Sequence, residues 1–222
     1  DTLDFELDRQ LILNKTFYKN MFGQKGKFLD YIITYTPHTP FTTKKEVGKL
    51  VAEMKYGKGK VPDLSEEETA KLMVGETDYM VGLLIQALKD NNLYDNTVIV
   101  AYADHYLYTI NDKSVLDKYK TTSNNLINNT PFFIWSSDIK PQNINKTTMQ
   151  MNILPTVLNL FGIDYNSNYF LCKNALAKDY QGIAFFSDYS WYDGNVYVEN
   201  GAVTNNKSIN KQDLNTKSSP VH

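Results

Sequence analysis

Asp104 and His105 are adjacent, and they close the apolar run Thr97–Ala103, Thr-Val-Ile-Val-Ala-Tyr-Ala. A carboxylate oxygen and an imidazole nitrogen from neighbouring residues suit a divalent cation of the Mn2+ or Zn2+ kind, and the carboxylate by itself would suit Mg2+. In open parallel sheets, ligands gather outside the carboxyl ends of strands, which is where this pair falls if the run is a strand. A helix cap or a polar loop is the competing reading of the same two residues. His38 is the second candidate. It lies between Pro37 and Pro40, just after another apolar run, Phe28–Tyr35, and reads either as part of a rigid substrate-contacting loop or as an ordinary surface turn. The third histidine, His222, is the last residue and is given no role. Cys172 reads as a buried small side chain rather than a nucleophile, because no histidine is near it in sequence. No Gly-rich phosphate loop, nucleophile elbow or Cys/His cluster accompanies these residues.

The elements that must position them are legible from periodicity. Phe28–Tyr35 and Pro131–Trp135 read as buried strands, and Thr97–Ala103 as a strand of the kind found inside parallel sheets. Ser65 with Glu68 forms a capping box that opens the strongest helix, roughly 66–91, with Glu66–Glu68 as its solvated start. Residues 1–27 have helical spacing and stop at Gly23 and Gly26, while 42–63, rich in Lys and Gly, read as a surface excursion. Residues 106–130 are polar and irregular. Thr147–Phe161 is an amphipathic helix containing Pro155, and short Tyr- and Asn-rich strands follow, with Asn200-Gly201 as a hairpin signal. This order predicts one α/β layered domain with a largely parallel sheet over 1–204, a small antiparallel C-terminal appendage, and a polar tail at 205–222.

Composition excludes several classes. Aromatic residues make up 13% of the 222 residues and the formal net charge is −2, which argues against disorder and leaves no footprint for nucleic acid. One cysteine excludes an intrachain disulfide framework. No apolar stretch reaches the roughly 20 residues that span a bilayer. The chain opens Asp1-Thr2-Leu3-Asp4, which reads as an internal boundary, so a piece of a longer protein is expected.

Several segments resemble one family in order. Tyr94–Tyr106, ending Ala-Asp-His-Tyr, is similar to the metal-binding strand end of the sulfatase/alkaline-phosphatase superfamily in the form seen in lipoteichoic acid synthases and related phosphoglycerol transferases. Thr36-Pro37-His38-Thr39-Pro40-Phe41 resembles their substrate-site loop, Glu76–Leu88 their long helix, Thr130–Trp135 the strand after the metal loop, and Gln150–Ile163 their Pro-Thr helix. Leu107 stands where these proteins often have Gly, and Asn152 replaces their Asp.

The resemblance implies the C-terminal part of a sulfatase-like catalytic domain. Its activity would be transfer of glycerol phosphate from phosphatidylglycerol onto a lipoteichoic-acid-type polymer, at the extracellular side of a bacterial cytoplasmic membrane, with the anchor outside this chain. It implies Mn2+, or Mg2+ or Zn2+, held by Asp104 and His105, and a substrate phosphate or glycerol contacted by His38. The family's threonine nucleophile and remaining metal acid belong to an N-terminal half that this chain lacks. The isolated chain is therefore expected to be inactive, and its uncovered sheet edge to favour dimerisation. A phosphatase, phosphoethanolamine transferase or sulfatase is the alternative within the superfamily, and a non-catalytic binding or scaffold relative the alternative outside it.

Overall fold

Ser65 accepts a hydrogen bond from Glu68 N while the Glu68 carboxylate accepts one from Ser65 N, so both ends of the capping box are made. The helix it starts, α4 (Glu66–Asp90), is the longest element of the protein. A computed structural model of the chain describes residues 7–118, 129–199 and 201–203. These divide into two units, one comprising 7–118 with 131–139 and the other 129–130 with 140–199 and 201–203.

In the first unit α1 (Gln10–Leu13) and α2 (Lys15–Phe22) are separated by Asn14, whose side chain caps α2 by accepting from Thr16 N and Phe17 N. Ile12 packs with Met80 and Ala87 of α4, flanked by Phe22 and Leu84. Residues 42–63 are not a mere surface excursion: α3 (Glu46–Tyr56) forms there and buries Gly48, Val51 and Ala52. Its close approach depends on Gly48, where a Cβ would lie 2.3 Å from Thr42 O and 3.3 Å from Met73 Sδ. The core of this unit is Phe41, Ala70, Met73, Ile110 and Val115, with Val47, Leu107 and Leu116 packed against it.

β1 (Ile99–Tyr102) and β2 (Phe132–Trp135) pair antiparallel, Ile99 opposite Trp135 and Tyr102 opposite Phe132. All strand pairing among the described residues is antiparallel, so the parallel ladder expected for Thr97–Ala103 is not formed among them. Phe28–Tyr35 departs further from expectation. It makes no ladder among the described residues, and Leu29 and Ile33 are 80% and 75% exposed. Its link to β1 is polar, with the hydroxyls of Tyr31 and Tyr102 3.1 Å apart. That bond, more than partial burial, pushes the Tyr102 phenol pKa up. A short helix, α5 (Lys113–Asp117), follows the loop after β1.

In the second unit Thr147–Phe161 resolves into a short 3-10 turn (Gln150–Asn152) and α6 (Ile153–Leu160). The appendage is a four-stranded antiparallel sheet in the order β3 (Ala184–Phe185), β4 (Trp191–Tyr192), β5 (Tyr197–Glu199) and β6 (Ala202–Val203). Glu199 faces Ala202 across the expected hairpin, where Gly201 adopts φ 75°. Trp191, Val196 and Val198 form its core. The polar tail at 205–222 lies outside the described residues.

Candidate functional site

β1 delivers Asp104 and His105 into an exposed loop, two and three residues beyond its end. His105 N donates to Asp104 Oδ1 at 2.9 Å, and His105 Nε2 lies 3.6 Å from Asp104 Oδ2. His105 Nδ1 is 2.8 Å from Tyr106 O. A carbonyl only accepts, so Nδ1 carries a hydrogen, and Nε2 is the ring nitrogen on the side of the carboxylate. A ring N–H spent on a backbone carbonyl is the usual way a metal-ligating histidine is oriented. Two donor bonds of about 2.1 Å at right-angle or tetrahedral geometry set their atoms about 3.0–3.4 Å apart. The observed pair needs only a small closure to reach that range, so these residues fit a divalent cation. No group of three or more His, Cys, Asp or Glu that could hold a metal is found among the described residues. The Tyr108 ring meets the His105 ring edge-on, centroids 4.8 Å apart.

The loop beyond the pair is held at both ends. Leu107, which stands where a glycine was expected, packs against the Phe41–Met73–Ile110 core. Glu66 Oε2 accepts from the N–H groups of Asn111 and Asp112, and Glu66 Oε1 accepts from the Asn111 side chain. Lys113 Nζ donates to the carbonyls of Tyr108 and Ile110. Glu66 is thus a loop clamp rather than a merely solvated helix start.

His38 is exposed, in a turn closed by His38 N donating to Tyr35 O at 3.1 Å. Its ring stacks on Tyr35, with centroids 5.4 Å apart and planes 8° from parallel. Its Nδ1 is 2.9 Å from Thr39 O, so Nδ1 again carries the hydrogen and Nε2 is turned to other partners. Neutral, that nitrogen accepts from a hydroxyl; protonated, it donates to a phosphate oxygen. Three residues on, Phe41 enters the same core cluster as Leu107 and Ile110. The His38 turn and the Asp104–His105 loop are therefore seated on one patch of core.

The turn has a second support that the sequence did not single out. Asp8 is 3% exposed, and its Oδ1 accepts from Tyr35 N and Thr36 N. The only signal for it was an acidic residue in a polar helical stretch.

A model of the family described as Sulfatase matches residues 10–163. The chain belongs to the sulfatase family. Lipoteichoic acid synthases are among its relatives. It is 27% identical over 201 residues to the lipoteichoic acid synthase of Staphylococcus saprophyticus, covering 83% of this chain and 30% of that one. It is 27% identical over 200 residues to that of Staphylococcus aureus, with the same coverage. The chain thus spans about a third or less, 30%, of the length of the relatives it matches. Family membership carries an alkaline-phosphatase-like α/β fold and a general dependence on a metal. No helix among the described residues is long and apolar enough to cross a membrane.

Proposed function

We propose that this chain is the C-terminal part of a phosphoglycerol transferase, which moves glycerol phosphate from phosphatidylglycerol onto a lipoteichoic-acid-type polymer at the outer face of the cytoplasmic membrane. The observation that carries the reading is the Asp104–His105 pair, with the imidazole Nε2 and a carboxylate oxygen side by side just beyond a strand end. Asp104 and His105 would hold the cation, Mn2+ or a similar ion. When bound, the cation supplies a Lewis acid for the phosphoryl oxygens. His38 meets the glycerol phosphate, accepting from a hydroxyl through Nε2 or, protonated, donating to phosphate. Attack of a threonine hydroxyl on phosphorus forms a threonine phosphoester and breaks the phosphoester bond to diacylglycerol, which leaves with the threonine's proton. A polymer hydroxyl then displaces the threonine oxygen, which recovers a proton from that hydroxyl. The attacking threonine belongs to polypeptide outside this chain, so the isolated chain is inactive.

The exposed row of Leu29, Tyr31, Ile33 and Tyr35 supports the same reading. Apolar surface of this kind beside β1 calls for cover, which the remaining part of the domain would supply, and in its absence the chain self-associates.

Calorimetry with Mn2+ tests the site. Weak binding that is lost in both Asp104→Ala and His105→Ala is the expected result. Binding that survives both substitutions overturns the assignment. With the complete domain, cleavage of an aryl sulfate in preference to phosphatidylglycerol would instead place the substrate in the sulfatase branch.

A further inference from the structure

We propose that Asp8 is the positioning residue for His38, an inference that rests on His38 being the group that meets glycerol phosphate. Asp8 gives its Oδ1 and its N–H to the turn and its Oδ2 to the long helix. Its Oδ1 accepts from Tyr35 N at 2.7 Å and Thr36 N at 3.1 Å, and its own N–H donates to Thr36 Oγ1 at 2.8 Å. Its Oδ2 accepts from Thr77 Oγ1 of α4 at 2.5 Å. The carboxylate therefore fastens the Tyr35–Thr36 peptide to the long helix from a site that excludes water, Thr36 being fully buried. Hydrogen bonds to an ionised acceptor are about twice as strong as neutral ones, and burial adds to that.

What is held is specific. The stretch before the clamp, with Leu29 and Ile33, is exposed, so it gains little from packing. The chain is fixed at Tyr35 and Thr36, and from there the turn runs directly to His38. Tyr35 O accepts from His38 N, and the Tyr35 ring stacks on the His38 ring. The backbone bond that closes the turn and the ring stacked on the imidazole thus both come from a residue whose own N–H is gripped by Asp8, while the imidazole's Nδ1 is held within the turn by Thr39 O. The neighbouring Arg9 forms a two-pronged ion pair with Glu76, one residue before Thr77 on α4. The Asp8–Arg9 dipeptide is in this way pinned to the helix twice, so Asp8 itself has little freedom to follow the turn. Asp8 touches no substrate in this arrangement and acts through His38.

The test uses the 222-residue chain with 15N-labelled histidine, since three histidines give a sparse spectrum. The probe is glycerol 1-phosphate, titrated into the wild type and into Asp8→Ala, Asp8→Asn, Thr77→Val and His38→Gln. Asp8→Asn keeps an oxygen for both N–H groups, and Thr77 can reverse its hydroxyl, so it should retain binding within about threefold. Asp8→Ala should shift the ligand-free His38 ring signals, leave those of His105 in place, and raise the dissociation constant about tenfold or more. Thr77→Val, which leaves the carboxylate and disturbs only its far oxygen, should fall between, and it carries the test if Asp8→Ala fails to fold. Unmoved His38 ring signals in Asp8→Ala, or in Thr77→Val where only that variant folds, overturn the proposal. Weakened binding in His38→Gln with unchanged binding in Asp8→Ala overturns it too, while sparing the functional reading. Binding by His38→Gln equal to wild type, or none by the wild type, overturns that reading and this proposal with it.

Discussion

Glu66, in the first turn of α4, grips the backbone of Asn111 and Asp112 across 45 and 46 residues of sequence, with both N–H groups 2.9 Å from its Oε2. The loop that carries Asp104 and His105 is thereby tied to the helix that also carries Thr77, the partner of Asp8. At 1.5 Å per residue the two ties sit about 16 Å apart along α4.

Removing the clamp should loosen the loop without unfolding the unit, because Leu107 and Ile110 keep their place in the core. Glu66→Ala is expected to speed amide exchange at Asn111 and Asp112 about tenfold, roughly the equivalent of one hydrogen bond to a charged acceptor for each amide. Glu66→Gln should recover part of the protection. Exchange that stays at the wild-type rate would assign the ordering of the loop to Lys113 and the core.

The next residue carries a pH signature. The Glu67 carboxyl pKa is lowered from 4.5 to about 2, chiefly by its hydrogen bond with Lys118 and then by that with Lys71. A folded-state value below the unfolded one means that the stabilisation is complete above pH 4.5 and fades as pH falls toward about 2. The melting temperatures of wild type and Glu67→Gln should therefore differ at neutral pH and converge through that window. Salt should shrink the neutral-pH difference, since the carboxylate is partly open to solvent and both lysines are exposed. A gap that persists at the acid end would mean that Glu67 contributes through packing instead.

Arg9 and Glu76 predict an asymmetry. Glu76 is 3% exposed, whereas the Arg9 side chain is partly exposed and also lies 4.4 Å from the Tyr79 ring centroid. Glu76 holds the Arg9 guanidinium above its already high pKa, mainly through their hydrogen bonds. Arg9→Met leaves a buried carboxylate without its partner and should cost about 3–5 kcal/mol. Glu76→Gln leaves an arginine that can reach water and stack on Tyr79, so it should cost less, about 1–2 kcal/mol. Urea unfolding of the two variants measures the difference. Equal losses would show that Glu76 is reached by water once Arg9 is gone.

Features set by local signals were the ones legible in the sequence. The Ser65–Glu68 box marked α4 because both partners lie within one turn, and the strand end just before Asp104 followed from an apolar run that opens with four β-branched residues, Thr97 to Val100. α3 was missed because its buried face is built largely from Gly48 and Ala52, which bury by close approach rather than by apolar bulk. The burial expected for Phe28–Tyr35 depends on what covers it, and no residue pattern within the run specifies that. Asp8 and Glu66 looked like helix-flank acids because their partners, Thr36 and Asn111, are remote in sequence. The resemblance placed His38, Asp104 and His105 in named roles, but not the carboxylates that hold their loops.

Asn152 shows how one departure from the family pattern is built into the second unit. The helix-start change expected there is in fact a fully buried hub. Asn152 Oδ1 accepts from Met149 N at 2.9 Å and lies 3.1 Å from Tyr180 Oη, while Nδ2 donates to Lys173 O at 2.8 Å. The two N–H and O–H neighbours fix the oxygen on one side, so the amide orientation follows from its partners. An aspartate can keep the first two contacts but not the third, because at neutral pH it would face the Lys173 carbonyl oxygen with another acceptor. Asn152→Asp should therefore cost about 2–4 kcal/mol at neutral pH, from a buried charge and a lost donor. Protonation restores a hydrogen for Lys173 O, so the folded-state carboxyl pKa would be raised. The deficit should then shrink as pH falls through that raised value. Thermal unfolding at neutral and acid pH checks both statements, and a variant as stable as the wild type at neutral pH would mean that Lys173 O finds its donor elsewhere.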